Sequence, residues 1–69
     1  MRISMKAARV NNNLSLEDVS KKMGVSKSTV NRWENDIIPI PQDMFIEYCG
    51  VCDIDTKRVK ANIKIKGEK

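Results

Sequence analysis

The chain has 69 residues, 41% hydrophobic and 32% charged, with one Trp, one Tyr and one Phe. That describes one small globular domain whose core is mostly Ile, Val, Leu, Met and Ala and which buries only about 60% of its unfolded surface. No apolar run approaches the roughly 20 residues of a membrane span, and the opening "MRISMKAARV" lacks the apolar stretch of a secretory leader. The chain is therefore read as cytoplasmic. It contains no histidine, the commonest general base and a favoured metal ligand. With no paired acid cluster and no phosphate loop either, no enzymatic activity, cofactor or metal is expected. Net charge is +4, but residues 1–56 carry seven basic and eight acidic groups while residues 57–69 carry six basic and one acidic. A basic end of this kind suits an anionic partner or a solubilising tail.

The chain reads as short helices separated by Asn, Gly and Pro. A first helix is expected from about Ile3 to Val10, stopped by Asn11–Asn13, since Asn tolerates the left-handed conformation that ends helices. The next start signal is fuller. Ser15 is a good N-cap, and Asp18 at N3 substitutes for the Glu of a capping box. Leu14 and Val19 sit where a hydrophobic staple packs. Leu16, Val19, Ser20 and Met23 then share one helix face, and Gly24 ends the helix. Ser26 can cap a third helix running to about Glu34. Pro39 and Pro41 break the pattern. A fourth helix fits from about Gln42 to Cys49, stopped by Gly50, and Asp55 can cap a short fifth. Strand-like alternation is confined to "NIKIK", and a loose tail is expected after about Ala61.

The centre of the sequence is "MGVSKSTVNRWEN", residues 23–35. Two short helices joined by Gly24-Val25-Ser26 make a small unit that presents one helix while bracing it with another. Val25 plugs the joint, Val30 and Trp33 hold the second helix down, and Ser20 is small where the helices cross. At 100° per residue, Lys27, Ser28, Asn31 and Arg32 fall on the opposite side. All four hydrogen-bond, and the helix N-terminus offers free N–H groups and positive partial charge, which suit a phosphate. Arg can grip guanine bidentately in a major groove, and Asn can do so for adenine. Taken alone, the same four residues fit an ordinary solvated face.

With Val19, Ser20, Met23, Gly24, Val25, Val30 and Trp33 followed by Glu34-Asn35, the chain resembles the lambda-repressor-like (Cro/repressor-type) helix-turn-helix family over residues 1 to about 60. The resemblance implies an all-α fold: a compact bundle of four to five short helices in a domain 1–60, followed by a basic flexible tail 61–69. By position it implies base contacts from Lys27, Ser28, Asn31 and Arg32, with Asn31 near bases or phosphate. It implies phosphate contacts at Ser15, Ser26 and the loop starting at Asn35, and a structural pair between Arg9 and Glu34. Two positions depart from the family. Leu16 stands where a phosphate-binding Gln is common, and Asp36 stands where Gly is common.

Several features keep two readings. "CGVC" at 49–52 offers only two metal ligands and lacks a βαβ setting, so core thiols are expected rather than a zinc or redox site. Ile37, Ile38 and Ile40 either cover the core or face a twin subunit. Lys57, Arg58, Lys60, Lys64 and Lys66 form a cationic cluster, solvated or on phosphate. The resemblance implies a prokaryotic or phage transcriptional regulator, a repressor that occludes an operator with its third helix in the major groove. The partner is double-stranded DNA, bound as a homodimer on a palindrome with half-sites about 34 Å apart. No membrane and no small-molecule ligand is expected. The alternative is an antitoxin or anti-repressor-type module that uses the same fold mainly to bind a partner protein.

Overall fold

The computed structural model describes residues 1–65. Strand β1 (Ile3–Ser4) leads into α1 (Met5–Asn11), followed by α2 (Leu16–Met23) and α3 (Lys27–Glu34). Strand β2 (Ile40–Pro41) precedes α4 (Gln42–Val51). A single 3-10 turn (Thr56–Arg58) then leads to β3 (Val59–Lys60) and β4 (Ile63–Lys64). Helix α2 packs against both α3 and α4, around a core that includes Val19, Val30, Trp33, Ile40, Phe45 and Tyr48.

All four helices among the described residues end the same way. Asn13, Gly24, Asp36 and Asp53 take left-handed φ angles of 59°, 72°, 58° and 57°. The next residue's N–H turns back to the carbonyl five positions earlier: Leu14 to Arg9, Val25 to Ser20, Ile37 to Arg32 and Ile54 to Cys49. This closure satisfies carbonyls that a helix end otherwise leaves bare, and after Gly, Asx residues are the ones that visit this conformation most readily. It corrects the expected end of α4. Gly50 does not stop the helix, which continues to Val51 and closes through Asp53.

Three further expectations change. The first helix starts at Met5 because Ile3 is drawn into β1, and Ser4 caps the helix by accepting from the Ala7 N–H at 3.1 Å. The expected fifth helix is the 3-10 turn, capped by Asp55. The all-α class is approximate, because two parallel pairs join β1 to β3 and β2 to β4. The register sets Ile3 against Val59 and Ile40 against Ile63. Residues 59–64 thus form a strap across the start of α1 and the start of α4, locked by Ile40 N–H to Asn62 O at 2.9 Å. The alternation of "NIKIK" is taken up at Ile63–Lys64, which pair as β4 and depart from the loose tail expected there. Lys66 and the rest of 66–69 lie outside the described residues.

The isoleucines divide. Ile40 is buried in the core at 1% exposure, whereas Ile37 at 66% and Ile38 at 37% are exposed. Cys49 and Cys52 are both buried and free. Burial pushes each thiol up to about 11, so little thiolate is present near neutral pH. Iodoacetamide at pH 8 is expected to leave the native protein unlabelled for a time that fully labels the denatured chain. Rapid labelling of the native protein would contradict this burial.

Candidate nucleic-acid interface

Helix α3 is amphipathic in an unusual sense, because its apolar side is only Val30 and Trp33. Both are buried, at 0% and 5% exposure. They set the helix's rotation, and Lys27, Ser28, Asn31 and Arg32 are all exposed in consequence. The brace is the expected one of α2: Val19, Ser20 and Met23 are buried, and Val25 packs against the core from the joint. Ser20 is satisfied by donating to Glu17 O at 2.9 Å.

The C-terminal end of α3 is held by a buried polar knot. Arg9 Nε donates to Glu34 Oε2 at 2.7 Å and Nη2 to Oε1 at 3.1 Å, a two-pronged ion pair with side-chain exposures of 10% and 3%. Arg9 Nη1 donates to Leu14 O at 2.9 Å, tying in the turn before α2. Tyr48 Oη, from α4, lies 2.6 Å from Glu34 Oε2 and 2.8 Å from Met5 O. It has one proton for two acceptors, and the shorter approach, to the carboxylate, is in the charge-assisted range. The hydrogen bonding of its guanidinium to Glu34 raises the Arg9 pKa, against the opposing effect of burial. Burial, then Glu34, pushes Tyr48 well above the usual phenol range. Arg9 therefore stays charged and Tyr48 stays protonated. Sequence reasoning missed Tyr48, although a buried Tyr hydroxyl in so small a core has to find a partner.

The N-termini of α2 and α3 meet on one side of the molecule. Ser15 Oγ accepts from the Asp18 N–H at 3.0 Å, and Asp18 Oδ2 accepts from the Ser15 N–H at 2.9 Å. The hydrogen bond from the Ser15 N–H, and then the Ser15 side chain, hold the Asp18 carboxyl below the usual carboxylate range. The box leaves the Leu16 and Glu17 N–H groups without protein acceptors among the described residues. On α3, Ser26 Oγ accepts from the Thr29 N–H at 3.1 Å and lies 2.9 Å from Thr29 Oγ1. One hydroxyl donates to the other, so the pair keeps one hydroxyl proton for a ligand. Thr29 is a second residue the sequence reading missed. Ser15, Leu16, Glu17, Lys27, Ser28 and Asn31 line one open cleft of about 540 Å³. Glu17 is the acidic member, and Lys21 approaches it to 3.3 Å.

The loop after α3 is differently built from what the resemblance implies. The Asn35 backbone N–H is bound to Asn31 O, Asp36 N–H to Trp33 O and Ile37 N–H to Arg32 O. The Asn35 side-chain amide donates both its hydrogens to Asn31, at 2.8 Å to the backbone O and 2.8 Å to Oδ1. In this arrangement the Asn35 side-chain donors are directed at α3 itself. Asp36, at the family's Gly position, takes the left-handed turn. It shares a second cleft, of about 480 Å³, with Ser4, Trp33, Glu34 and Lys60 of the strap.

No helix among the described residues is long and apolar enough to cross a membrane. Comparison with family models gives a match to the family described as Helix-turn-helix over residues 5–59, from the first residue of α1 into β3. No curated protein and no solved structure matches significantly.

Proposed function

The chain belongs to the Helix-turn-helix family, of the Cro/C1 type, and from that premise we propose that it is a sequence-specific DNA-binding transcriptional regulator, a repressor acting by operator occlusion. The family supports DNA binding and transcriptional regulation as the general role. The observation that carries the finer reading is the cleft in which free N–H groups at the start of α2 adjoin the exposed face of α3. A duplex seated there lays one phosphate strand on Ser15, the Leu16 and Glu17 N–H groups and the Ser26–Thr29 hydroxyl pair, because helix N-termini favour anions. Helix α3 then lies in the major groove, with Lys27, Ser28, Asn31 and Arg32 at base edges. The basic residues of 57–64 add sequence-independent attraction.

One such unit reads few base pairs. We therefore assign a homodimer on a palindrome, with half-sites about 34 Å apart so that both copies of α3 enter the same face of the duplex. The exposure of Ile37 at 66% and Ile38 at 37% supports an apolar contact between copies. The same exposure also supports the rival reading, an antitoxin or anti-repressor-type module that grips a partner protein. Selecting bound sequences from a random duplex pool tests the proposal. A two-fold symmetric motif with that spacing is expected, and a pool with no enriched motif would refute base reading.

A further inference from the structure

Asn31 and Asn35 are the two side chains on the exposed side of α3 that orient one another, and their geometry fixes both amides. A backbone carbonyl oxygen only accepts. The atom of Asn35 that lies 2.8 Å from Asn31 O is therefore its nitrogen. That nitrogen donates its second hydrogen at 2.8 Å to the Asn31 side chain, and the atom receiving it is therefore Oδ1. The Asn31 carbonyl is thus drawn back toward the last turn of α3. Its NH₂ group points away from Asn35 with both hydrogens free of protein acceptors among the described residues, and Asn31 itself lines the cleft shared with the start of α2. An unconstrained Asn offers either end. It donates to purine N7 and accepts from adenine N6–H in one pose, and donates alone in another.

We propose that Asn35 is a positioning residue that sets the base preference of Asn31, presenting it to the duplex as a donor. The inference rests on the DNA-reading role of α3 proposed above. Asn35 fills one of the two Oδ1 lone pairs and turns that carbonyl toward the last turn of α3, so the NH₂ group leads and a base that supplies acceptors is favoured. In the major groove guanine does so through N7 and O6, whereas cytosine presents an N4–H₂ donor and adenine pairs a single acceptor with its N6–H₂ donor. The position under Asn31 therefore favours guanine over adenine, by about fivefold or more.

The test measures binding of the full chain to a duplex carrying its selected site and to duplexes with each base exchanged in turn, for wild type, Asn35→Ala, Asn31→Ala and the double variant. Asn35→Ala is expected to reduce the guanine-over-adenine ratio at one position to within about twofold of unity, with the ratios at all other positions kept. In the Asn31→Ala background the Asn35 change is expected to alter nothing further, because the two act as one unit. An unchanged base profile in Asn35→Ala, or an equal loss on every duplex, overturns the inference, the second outcome returning Asn35 to a phosphate contact. Side-chain amide NMR of the free protein separates this failure from failure of the DNA reading. The Asn31 NH₂ resonances are expected to shift in Asn35→Ala whether or not DNA is bound, and unmoved resonances would also overturn the pairing.

Discussion

Arg9→Ala is expected to remove a large part of the protein's stability at 25 °C. The substitution leaves the Glu34 carboxylate, at 3% side-chain exposure, facing Tyr48 with no cation beside it. Removing one partner of a buried pair costs about 3–5 kcal/mol, because the remaining charge is buried without compensation. It also strands Leu14 O, which accepts from Arg9 at 2.9 Å. A domain of this length has a total stability of roughly 3–10 kcal/mol. The melting temperature should fall by more than about 12 °C, and guanidinium titration should show a shifted midpoint. An exposed pair would contribute only about 0–1 kcal/mol, so a shift that small would mean the knot is open to water in solution. The double variant Arg9→Met with Glu34→Leu should recover much of the loss, because no unpaired charge then remains.

Trp33→Ala is expected to be comparably severe. Trp33 is 5% exposed and sits one turn beyond Val30, at the end of α3 where Glu34 enters the knot. Truncating a buried Trp costs about 3–5 kcal/mol, from lost transfer energy and the cavity left behind. The functional consequence exceeds the stability loss. Trp33 and Val30 alone form the apolar side of α3, so without the indole the helix is free to rotate and Lys27, Ser28, Asn31 and Arg32 lose their common aim. Chemical denaturation and binding to the selected duplex should both fail near room temperature. Trp33→Phe, which keeps an aromatic plug, should retain folding with weaker discrimination. A stable Trp33→Ala variant with unchanged binding would show that Trp33 does not set the helix's rotation.

What could be read in advance follows the length over which each signal acts. The α2–turn–α3 unit was legible because its determinants are local. Ser15 and Asp18 lie three residues apart, Gly24 takes the left-handed φ that closes α2, and Val30 and Trp33 lie one turn apart. The strap was not legible. Its pairing of Ile3 with Val59 and Ile40 with Ile63 joins residues far apart in the chain through two-residue strands, of which only Ile63–Lys64 lies in a stretch of visible alternation. The end of α4 was misplaced because Gly50 drew attention, although a left-handed Asp53 does the same work three residues later. At the interface, the outward face of α3 could be placed from helical geometry alone, but the state of each donor could not. That the Asn35 donors are directed at Asn31 depends on rotamers that no spacing rule supplies. The role of the Tyr48 hydroxyl in the knot likewise depends on where Glu34 and Met5 O lie.

The central claim is that α3 reads base edges with the side left free when Val30 and Trp33 are buried. Arg32→Ala tests it most directly, because Arg32 is exposed and its loss leaves the core untouched. Dissociation constants for wild type and variant, measured at fixed salt on the selected duplex and on every single-base exchange within a half-site, give the answer. At one position the variant is expected to lose about 1–3 kcal/mol of discrimination, with the other positions keeping theirs. A uniform loss across all duplexes would make Arg32 a phosphate contact and contradict the reading helix.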